Sequence, residues 1–297
     1  MKQKKPSSLT RILGYAGGHK NLTILGCILS ALSAVLGLAP YLCVWLVARS
    51  ILAAWPSLDG AGDLGRFGWM AVWFAIGSIL LYFAALMSTH IAAFRTARNI
   101  RRAAMTHVLK LPLGFFTGNQ SGRLRKLIDH NAGLTEDLLA HKLPDLAATA
   151  VTPIAAIVVL FLFDWRMGLC IVVPVPVAAL VVFAAKKAQS NAESANMDAK
   201  RAAYDGVQEY LDTIQELKSC SREEEYLEGL EKKLDYVVKC SFRNEIAPGA
   251  ATTTAQFILR FGLVAVMLVG GILVTAGSLS IPMFILFLLF AGRIYDP

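Results

Sequence analysis

Three titratable residues, His130, Asp137 and His141, are spaced so that one helix face could carry them. Their separations in the sequence are close to two and three whole helical turns, so the three side chains would point the same way. Such a set could hold a metal ion or relay a proton. Helices that bind metals usually present ligands at i and i+4, and this stretch is rich in charge. A solvated face is therefore the favoured interpretation, and no metal site is predicted.

Two arginines interrupt otherwise apolar sequence. Arg260 precedes Gly277 and Arg293 follows it, at nearly the same separation along the chain. On antiparallel helices both would lie about 25 Å from that turn, at ~1.5 Å per residue. A charge inside an apolar span is costly and marks a functional site or a paired network. These arginines, together with Gln256 one turn before Arg260, are predicted to bind an anionic substrate. The alternative left open is that Arg260, Arg293 and Asp296 form a closed network of paired charges.

Two prolines, Pro174 and Pro176, lie in the middle of an apolar run. Each removes a backbone donor and frees the carbonyl four residues earlier, at Cys170 and Val172. The helix must kink or open there, and two prolines at this spacing favour local unwinding over a packing kink. Because interrupted spans often line substrate cavities, both prolines are predicted to belong to the substrate site.

Residues for catalysis are lacking. The sequence has no G-x-x-x-x-G-K-[ST] phosphate loop and no nucleophile and base paired within the apolar runs, so the chain itself is predicted not to be an enzyme. The five cysteines form no C-x-x-C pair and are interpreted as reduced and structural, without a disulfide framework or a zinc site. They are Cys27, Cys43, Cys170, Cys220 and Cys240.

The composition is that of a polytopic membrane protein. Of 297 residues, 56% are hydrophobic and 17% charged, with a mean hydropathy of +0.54. A net charge of +8 could indicate nucleic-acid binding. The cations instead follow membrane topology: segments 1–21, 95–145 and 186–245 hold 5, 9 and 10 of the 29 Lys and Arg. The positive-inside rule then puts these segments and both termini in the cytoplasm, and no nucleic-acid partner is expected.

Six membrane spans are predicted from the apolar runs, each compared with the ~20 residues that cross a bilayer. The second span should extend into the cytoplasm as far as Pro112, and the sixth, which runs from Ser280 to Pro297, is barely complete. The six are Asn21–Ala48, Phe67–Phe94, the run between Asp145 and Asp164, Met167–Ala185, a span within Ile246–Ala276, and the one from Ser280. Residues 1–20 have the basic, amphipathic pattern of a helix lying on the membrane, and no cleavable signal peptide is expected.

Four short motifs carry a family resemblance: LPLGFFTGNQSGRLRKLI at 111–128, AHKLPD at 140–145, DWR at 164–166 and RIYDP at 293–297. The chain resembles the transmembrane domain of an exporter-fold (type IV) ABC transporter. Within that family it is most similar to half-transporters that import ferric siderophores. Asn131 departs from the pattern, since the family usually has Asp there, which removes a carboxylate that could bond the neighbouring subunit.

The resemblance implies an all-α membrane protein with six long transmembrane helices, cytoplasmic extensions and coupling helices. Residues 1–20 would be the elbow helix and residues 21–297 the transmembrane domain. A nucleotide-binding domain, which binds ATP and Mg²⁺, normally follows the sixth span. Expected partners are that domain, a second transmembrane half (identical or homologous), membrane lipid and an anionic siderophore. The expected location is the bacterial inner membrane, where substrate would cross by alternating access.

Two cytoplasmic tips, Gly114–Gln120 and Val207–Thr213, correspond to coupling helices in this resemblance. A helix across the tip of a long hairpin presents exposed side chains that can fill a cleft on a partner. The ordinary alternative is a helical-hairpin turn with local packing. The predicted coupling residues are Phe115, Phe116, Thr117 and Gly118 at the first tip, and Tyr210, Leu211 and Asp212 at the second.

Two other functions use the same features. An exporter of lipid, peptide or drug would have the same fold, and nothing in the motifs gives the direction of transport. A membrane scaffold or signalling protein could also use cytoplasmic hairpins to dock partners. The charges within the spans argue against a scaffold, because such charges are costly unless they serve a pathway or a network.

Overall fold

The computed structural model describes residues 8–56, 62–116 and 121–295, and these residues are almost entirely α-helical. The helices are α1 (Ser8–Ala16), α2 (Lys20–Leu36), α3 (Ala39–Ala54), α4 (Leu64–Val108), α5 (Ser121–Asp137), α6 (Leu143–Phe163), α7 (Trp165–Val172), α8 (Pro174–Asp212), α9 (Ile214–Ser219), α10 (Glu223–Thr275) and α11 (Ile281–Arg293). Short 3-10 turns cover Gly17–His19 and Leu113–Phe116, and a π-helical turn, Leu138–Lys142, joins α5 to α6.

Five helical stretches of the described chain are long and apolar enough to cross a membrane, which confirms the all-α membrane fold. They are Leu9–Ala54, Leu64–Val108, Leu124–Phe163, Trp165–Asp212 and Glu223–Thr275. The extension of the second span beyond Phe94 is confirmed, since α4 continues to Val108. The sixth predicted span is shorter than expected: α11 has 13 residues, or about 20 Å of helix against a hydrocarbon core of about 30 Å.

The first span is two helices, where the sequence predicted one. Pro40 has no N–H to donate to the carbonyl of Leu36, and α2 ends at Leu36. The chain turns through Gly37 and Leu38, with the Gly37 N–H bonded to the Ser33 carbonyl at 2.8 Å. Helix α3 then starts at Ala39 and has the proline in its first turn, where a missing donor costs nothing.

The residues group into two compact units, residues 1–165 with 270–297, and residues 166–269. In the first unit α2 packs on α4 and α6, and α3 packs on α4 and α11. The contact between α2 and α4 uses small residues: a Cβ added at Gly26 would lie 2.3 Å from the Thr89 Cγ2 atom. Lipid tails provide no hydrophobic force between helices, so close packing of small residues is what holds such a bundle together.

Two interhelical hydrogen bonds reinforce this packing. Ser30 donates to the Pro144 carbonyl at 3.1 Å. The Thr89 hydroxyl lies 3.1 Å from both the Ala140 carbonyl and the Leu86 carbonyl of its own helix, so its one hydrogen is shared between them. The Ala140 carbonyl lacks its usual i+4 partner because residue 144 is proline. Without water in the bilayer, a freed carbonyl needs another donor. Thr89 therefore bonds the π-helical turn to α4 at the point where proline weakens the helix.

Helix α1 is a short amphipathic helix, as its sequence pattern predicts. Ile12 and Leu13 pack against a buried cluster of Ala93, Leu139 and Ala140. Its other face, which includes Leu9, is exposed. The described part of segment 1–20 is thus attached to α4, and its position on a membrane surface remains a prediction.

In the second unit α8 and α10 are joined by polar contacts. Ser241 donates to the Asn196 side-chain carbonyl at 2.9 Å, and both groups lie on the sides of the helices that are at least partly buried. Nearer the tip, Tyr226 donates to the Gly206 carbonyl at 2.9 Å. A Cβ at Gly206 would lie 3.3 Å from the Leu230 Cδ1 atom, so the α10 side chains pack closely against this glycine.

Thr89 and Thr96 form a matched pair that tests the role of the freed carbonyl. Both are fully buried on α4, but Thr96 donates to the Ala92 carbonyl of its own helix, and that carbonyl keeps its helical partner. We expect Thr89→Val to lower the free energy of unfolding by about 1–2 kcal/mol more than Thr96→Val does. Unfolding in detergent, followed by circular dichroism, measures both. Equal losses would show that the Ala140 carbonyl does not need Thr89.

Candidate functional site

A polar cavity lies where the first span is broken. It has a volume of about 370 Å³ and belongs to the first compact unit. Its walls come from α2, the Gly37–Leu38 turn, α4, α6 and α11. The lining residues are Ser33, Ala34, Gly37, Leu38, Ser78, Ala148, Thr149, Thr152 and Arg293. The structure therefore places one of the two predicted arginines at a cavity with several hydroxyl groups.

Ser33 and Ser78 hold two walls of this cavity together. The Ser33 hydroxyl lies 2.8 Å from the Ser78 carbonyl, and the Ser78 hydroxyl lies 3.0 Å from the Ser33 carbonyl. The two hydroxyl oxygens are 3.3 Å apart. This serine pair ties α2 to α4 immediately before the helix break, so the cavity keeps its shape where the backbone is interrupted.

The α6 wall contributes two threonines, Thr149 and Thr152. Pro153 lies inside α6, so the Thr149 carbonyl lacks its i+4 donor. Thr152 donates to the Ala148 carbonyl at 2.7 Å. Arg293, in the last turn of α11, adds a permanent cation with five N–H donors. A cation among hydroxyl groups suits an anionic or oxygen-rich ligand, because charge-assisted hydrogen bonds are the strong ones.

A second cavity of about 420 Å³ adjoins the first, since Leu38 lines both. Its walls are apolar. They consist of Leu32, Val35, Leu36, Leu38, Ala39, Leu42, Leu81, Ala155, Ala156, Val159 and Phe290. The two cavities together offer a polar end and an apolar end, which fits a molecule that has both.

Arg260 and Gln256 lie one turn apart on α10, and both are exposed. The buried side of this helix carries Ala251, Ala255 and Val266. Arg260 belongs to the second compact unit and Arg293 to the first. The predicted common depth of the two arginines, and their joint role in substrate binding, therefore stay predictions. Asp296 lies outside the described residues.

The helix interruption at Pro174 and Pro176 is present, but it takes a different form from the one predicted. Helix α7 ends at Val172 and α8 begins at Pro174. Val173 between them keeps helical torsion angles of −54° and −40°, and its N–H bonds the Leu169 carbonyl at 2.9 Å. The preference for local unwinding is therefore wrong; the interruption is a one-residue kink. A role for the prolines in substrate binding remains a prediction.

The first hairpin tip exposes an aromatic pair. Phe115 and Phe116 lie in the 3-10 turn Leu113–Phe116 and are 40% and 43% exposed. Their ring centroids are 5.4 Å apart and the rings are nearly perpendicular. Exposed phenylalanines on a polar hairpin favour docking into an apolar cleft. Thr117 and Gly118, the other predicted coupling residues there, lie outside the described residues.

The boundaries predicted for the second tip are wrong. Val207–Asp212 continues α8, and the helix breaks at Thr213. The separate short helix is α9, and the turn after it contains Ser221 at a φ of +52°. The periodic pattern of residues 207–212 belongs to the long helix, and sequence alone does not show where that helix stops.

The predicted coupling residues of this tip have different surroundings. Tyr210 packs against the Tyr226 ring, with centroids 5.5 Å apart. Leu211 is 58% exposed, and Asp212 accepts a hydrogen bond from Gln208 at 2.9 Å. Leu211 is thus available to a partner, whereas Tyr210 supports the hairpin from within.

Charged groups surround a cavity of about 360 Å³ beside α9. Its lining includes Glu209, Leu217, Arg222, Glu225, Tyr226 and Lys233. Burial, and then a hydrogen bond to Glu209, raise the pKa of the Tyr226 phenol. The Tyr226 phenol is protonated at neutral pH, as tyrosine ordinarily is, and its one hydrogen is shared between the Gly206 carbonyl and the Glu209 carboxylate of α8, which stabilises the tip.

The helix face of His130, Asp137 and His141 is exposed, as the solvated interpretation requires. The π-helical turn Leu138–Lys142 also changes the register between Asp137 and His141. The His141 ring lies 4.8 Å from the His90 ring, edge to face. No group of three metal-binding side chains is found within the described ranges.

Sequence reasoning missed the polar cavity. A signal was present in the first apolar run: Thr23, Gly26, Ser30 and Ser33 recur at three- and four-residue spacing. All four are buried on one face of α2. A stripe of small polar residues in an apolar helix predicts a helix-packing face, and Ser33 is the member that borders the cavity.

Comparison with known proteins matches this architecture. The sequence model of the family described as "ABC transporter transmembrane region" matches residues 23–296. The mycobactin import ATP-binding/permease protein IrtA of Mycolicibacterium smegmatis is 29% identical over 191 residues, covering 62% of this chain and 22% of that protein. The protein of the same name from Mycobacterium tuberculosis is 32% identical over 152 residues, covering 51% and 17%.

A relative named for a different role is similar over more of this chain. The ATP-dependent lipid A-core flippase of Bordetella avium is 26% identical over 258 residues, covering 82% of this chain and 42% of that protein. The chain spans about a fifth of the length of the two mycobactin import proteins.

Native cysteines provide a test of the membrane orientation. Cys220 is exposed at the second tip, whereas Cys43 and Cys240 are buried. In a variant that keeps only Cys220, we expect a membrane-impermeant maleimide to react from the cytoplasmic side and not from the outside. Mass spectrometry of oriented vesicles measures the labelling, and Cys220→Ser in the same background is the control. Reaction of Cys220 from the external face would show that the true topology is the inverse of the proposed one.

Proposed function

The chain belongs to the family of ABC transporter transmembrane regions, and from this premise we propose that it forms half of the substrate pathway of an ATP-driven transporter. A second transmembrane half, identical or homologous, would complete the pathway. A nucleotide-binding domain would bind ATP and Mg²⁺ and hydrolyse the nucleotide. The chain supplies the pathway and the surfaces that receive the movement.

The proposed substrate is a ferric siderophore, an anionic and oxygen-rich molecule, taken up from outside. The observation that carries this proposal is Arg293 at the polar cavity with Ser33 and Ser78. Ser33 lies in the last turn of α2, and Arg293 is the last residue of α11. Each is therefore about 20 Å from the start of its helix, within the ~30 Å hydrocarbon core and not at its edge. Substrate sites of transporters commonly lie within the core, beside interrupted helices.

Siderophore uptake is also supported by the relatives named for mycobactin import. The adjoining apolar cavity would receive an acyl or aryl portion of the substrate. Arg260 and Gln256, exposed on α10, are proposed to contact the same substrate during the transport cycle. The kink at Pro174 and Pro176 would let α7 and α8 change their angle as access alternates, because proline leaves the helix without a backbone bond there.

The two cytoplasmic tips are proposed to receive the movement of the nucleotide-binding domain. Phe115 and Phe116 offer an apolar pair, and Leu211 with α9 offers a second exposed contact. The first tip adjoins α4, a helix of 45 residues, and the second adjoins α8, a helix of 39 residues. A rigid helix carries a displacement from water into the bilayer without a change in its internal hydrogen bonds.

The proposed location is a bacterial inner membrane with both chain termini in the cytoplasm. The excess of Lys and Arg in segments 1–21, 95–145 and 186–245 supports this orientation. Helices α4 and α8 each extend from an apolar span into one of these basic segments, which supports the proposed orientation.

Export of a lipid is the second candidate, favoured by the apolar cavity and by the relative named as a lipid A-core flippase. The two candidates differ in direction. An ATP-dependent rise in the concentration of ferric siderophore inside right-side-out proteoliposomes supports uptake. ATP-dependent depletion of a labelled lipid from the inner leaflet supports export.

Substitution of Arg293 tests the substrate site. In the complete transporter we expect Arg293→Gln to weaken ferric siderophore binding about 10- to 100-fold, since a charge-assisted hydrogen bond contributes about 1.5–3 kcal/mol. Arg293→Lys should retain most of the affinity because it keeps the charge. Titration followed by tryptophan fluorescence measures binding, and the same variants are compared in uptake assays.

Thermal stability distinguishes this role from a purely structural one. If Arg293→Gln and Arg260→Gln leave binding and uptake of anionic candidates unaltered while lowering the melting temperature, the arginines form a stabilising network and the substrate role is wrong.

A further inference from the structure

The surface where α1 meets the cytoplasmic end of α4 is formed by segments that contain Lys and Arg but no Asp or Glu. Residues 1–58 and 64–128 contain no Asp or Glu. Within the described chain, residues 8–20 and 95–110 carry a dense set of Lys and Arg: Arg11, Lys20, Arg95, Arg98, Arg101, Arg102 and Lys110. So many like charges are unfavourable together unless an anion lies nearby.

Only one of these cations has an acidic partner among the described residues. The Arg101 Nε atom lies 3.4 Å from an Asp129 carboxylate oxygen of α5. Arg98 and Arg102 are exposed, and Arg98 donates only to the neutral side chain of Asn99, at 3.3 Å. Their charges are therefore free to meet an external anion.

A cavity of about 520 Å³ lies along this side of α4. It is lined by Asn99, Arg102, Ala103, Thr106, His107 and Lys110. Ala103 leaves space between the longer side chains. The Thr106 hydroxyl donates to the Arg102 carbonyl at 2.9 Å, so the cavity's donors toward a ligand are the Arg102, His107 and Lys110 side chains.

Helix α1 is attached at the membrane-side edge of this surface. The Asn99 side-chain amide donates to the Tyr15 carbonyl at 3.0 Å. The Arg95 guanidinium lies 3.4 Å from the His19 Nδ1 atom. Because α1 is amphipathic and exposes Leu9 and Tyr15, it brings an apolar face beside the cations, as helices that lie at membrane interfaces do.

The position of the arginines along α4 indicates which kind of anion lies near them. The cations begin at Arg95, directly after the apolar run that ends at Phe94, and Arg102 follows two turns later, or about 10 Å along the helix. The headgroup layer of a bilayer is roughly 5–8 Å thick on each side. Long arginine side chains extend toward it. Arg95 and Arg98 therefore lie at the depth of lipid phosphates, and the Arg102 side chain, which starts just beyond that layer, can extend back to it.

We propose that this surface binds the phosphate headgroup of an anionic phospholipid. Arg98 and Arg102 donate to the phosphate oxygens, and His107 and Lys110 extend the site toward the cytoplasm. The acyl chains lie against Ile91 and Phe94, which are 42% and 55% exposed on the preceding turns. Clusters of basic residues at the cytoplasmic end of a span attract anionic lipid in this way. The bound lipid would connect α1 to α4 and is separate from the transported substrate.

Native mass spectrometry of the chain in detergent, titrated with dioleoyl phosphatidylglycerol, tests the site. We expect Arg98→Gln/Arg102→Gln to weaken binding of the first phosphatidylglycerol roughly 30-fold, from two lost cations at the membrane surface. Dioleoyl phosphatidylcholine should bind the wild type and the Arg98→Gln/Arg102→Gln variant equally weakly. Arg98→Lys/Arg102→Lys keeps the charge and should retain binding within about threefold, which shows that the arginine positions tolerate substitution.

Lys186→Gln/Lys187→Gln is the matched control, because it removes two exposed cations at the start of another basic segment. It should leave the first phosphatidylglycerol bound as tightly as in the wild type. Equal weakening by both glutamine variants would show diffuse attraction and overturn the site. If glycerol 3-phosphate or inorganic phosphate binds as tightly as the lipid and displaces it, the site recognises soluble phosphate and the lipid proposal is wrong.

Discussion

The satisfaction of backbone carbonyls in apolar surroundings is the constraint on which the rest of this structure depends. Each proline inside a span removes one donor, and lipid offers no water to replace it. Pro40 is accommodated by ending α2 at Leu36 and starting α3. Pro144 leaves the Ala140 carbonyl to be bonded by Thr89. Pro153 frees the carbonyl of Thr149, a residue that lines the polar cavity. Stability and the candidate site thus have a common origin.

The cavity follows from the same constraint. Ending α2 opens space beside Gly37, and the Ser33–Ser78 pair keeps α2 against α4 at that level. Hydroxyl groups can do this without a buried charge, because each donates to a carbonyl across the interface. Arg293 then brings a cation to the space from the other end of the chain. The result is a polar site within an apolar bundle, with an apolar cavity next to it.

Features that depend on composition and local pattern could be predicted from the sequence. The apolar runs indicated the spans, and the alternation of Arg with apolar residues after Phe94 predicted the extension of α4. The resemblance, carried by short motifs such as residues 111–128, is confirmed by the family match and by relatives named for mycobactin import.

Features that depend on tertiary contact could not be predicted. Ser33, Ser78, Thr149 and Arg293 are far apart in sequence and meet only because α2, α4, α6 and α11 pack together. The break in the first span was hidden by a long run without charge, although Pro40 marks it. The end of α8 at Asp212 was missed because its helical pattern continues through most of the predicted tip, Val207–Thr213.

The most direct test of this account is a cryo-electron microscopy map of the complete transporter with a ferric siderophore bound. The account predicts ligand density within hydrogen-bond distance of Arg293, between Ser33 of α2 and Thr149 of α6, with an apolar portion extending past Leu38. Ligand density elsewhere in the membrane, with this cavity empty and the Ser33–Ser78 pair unchanged, would contradict it.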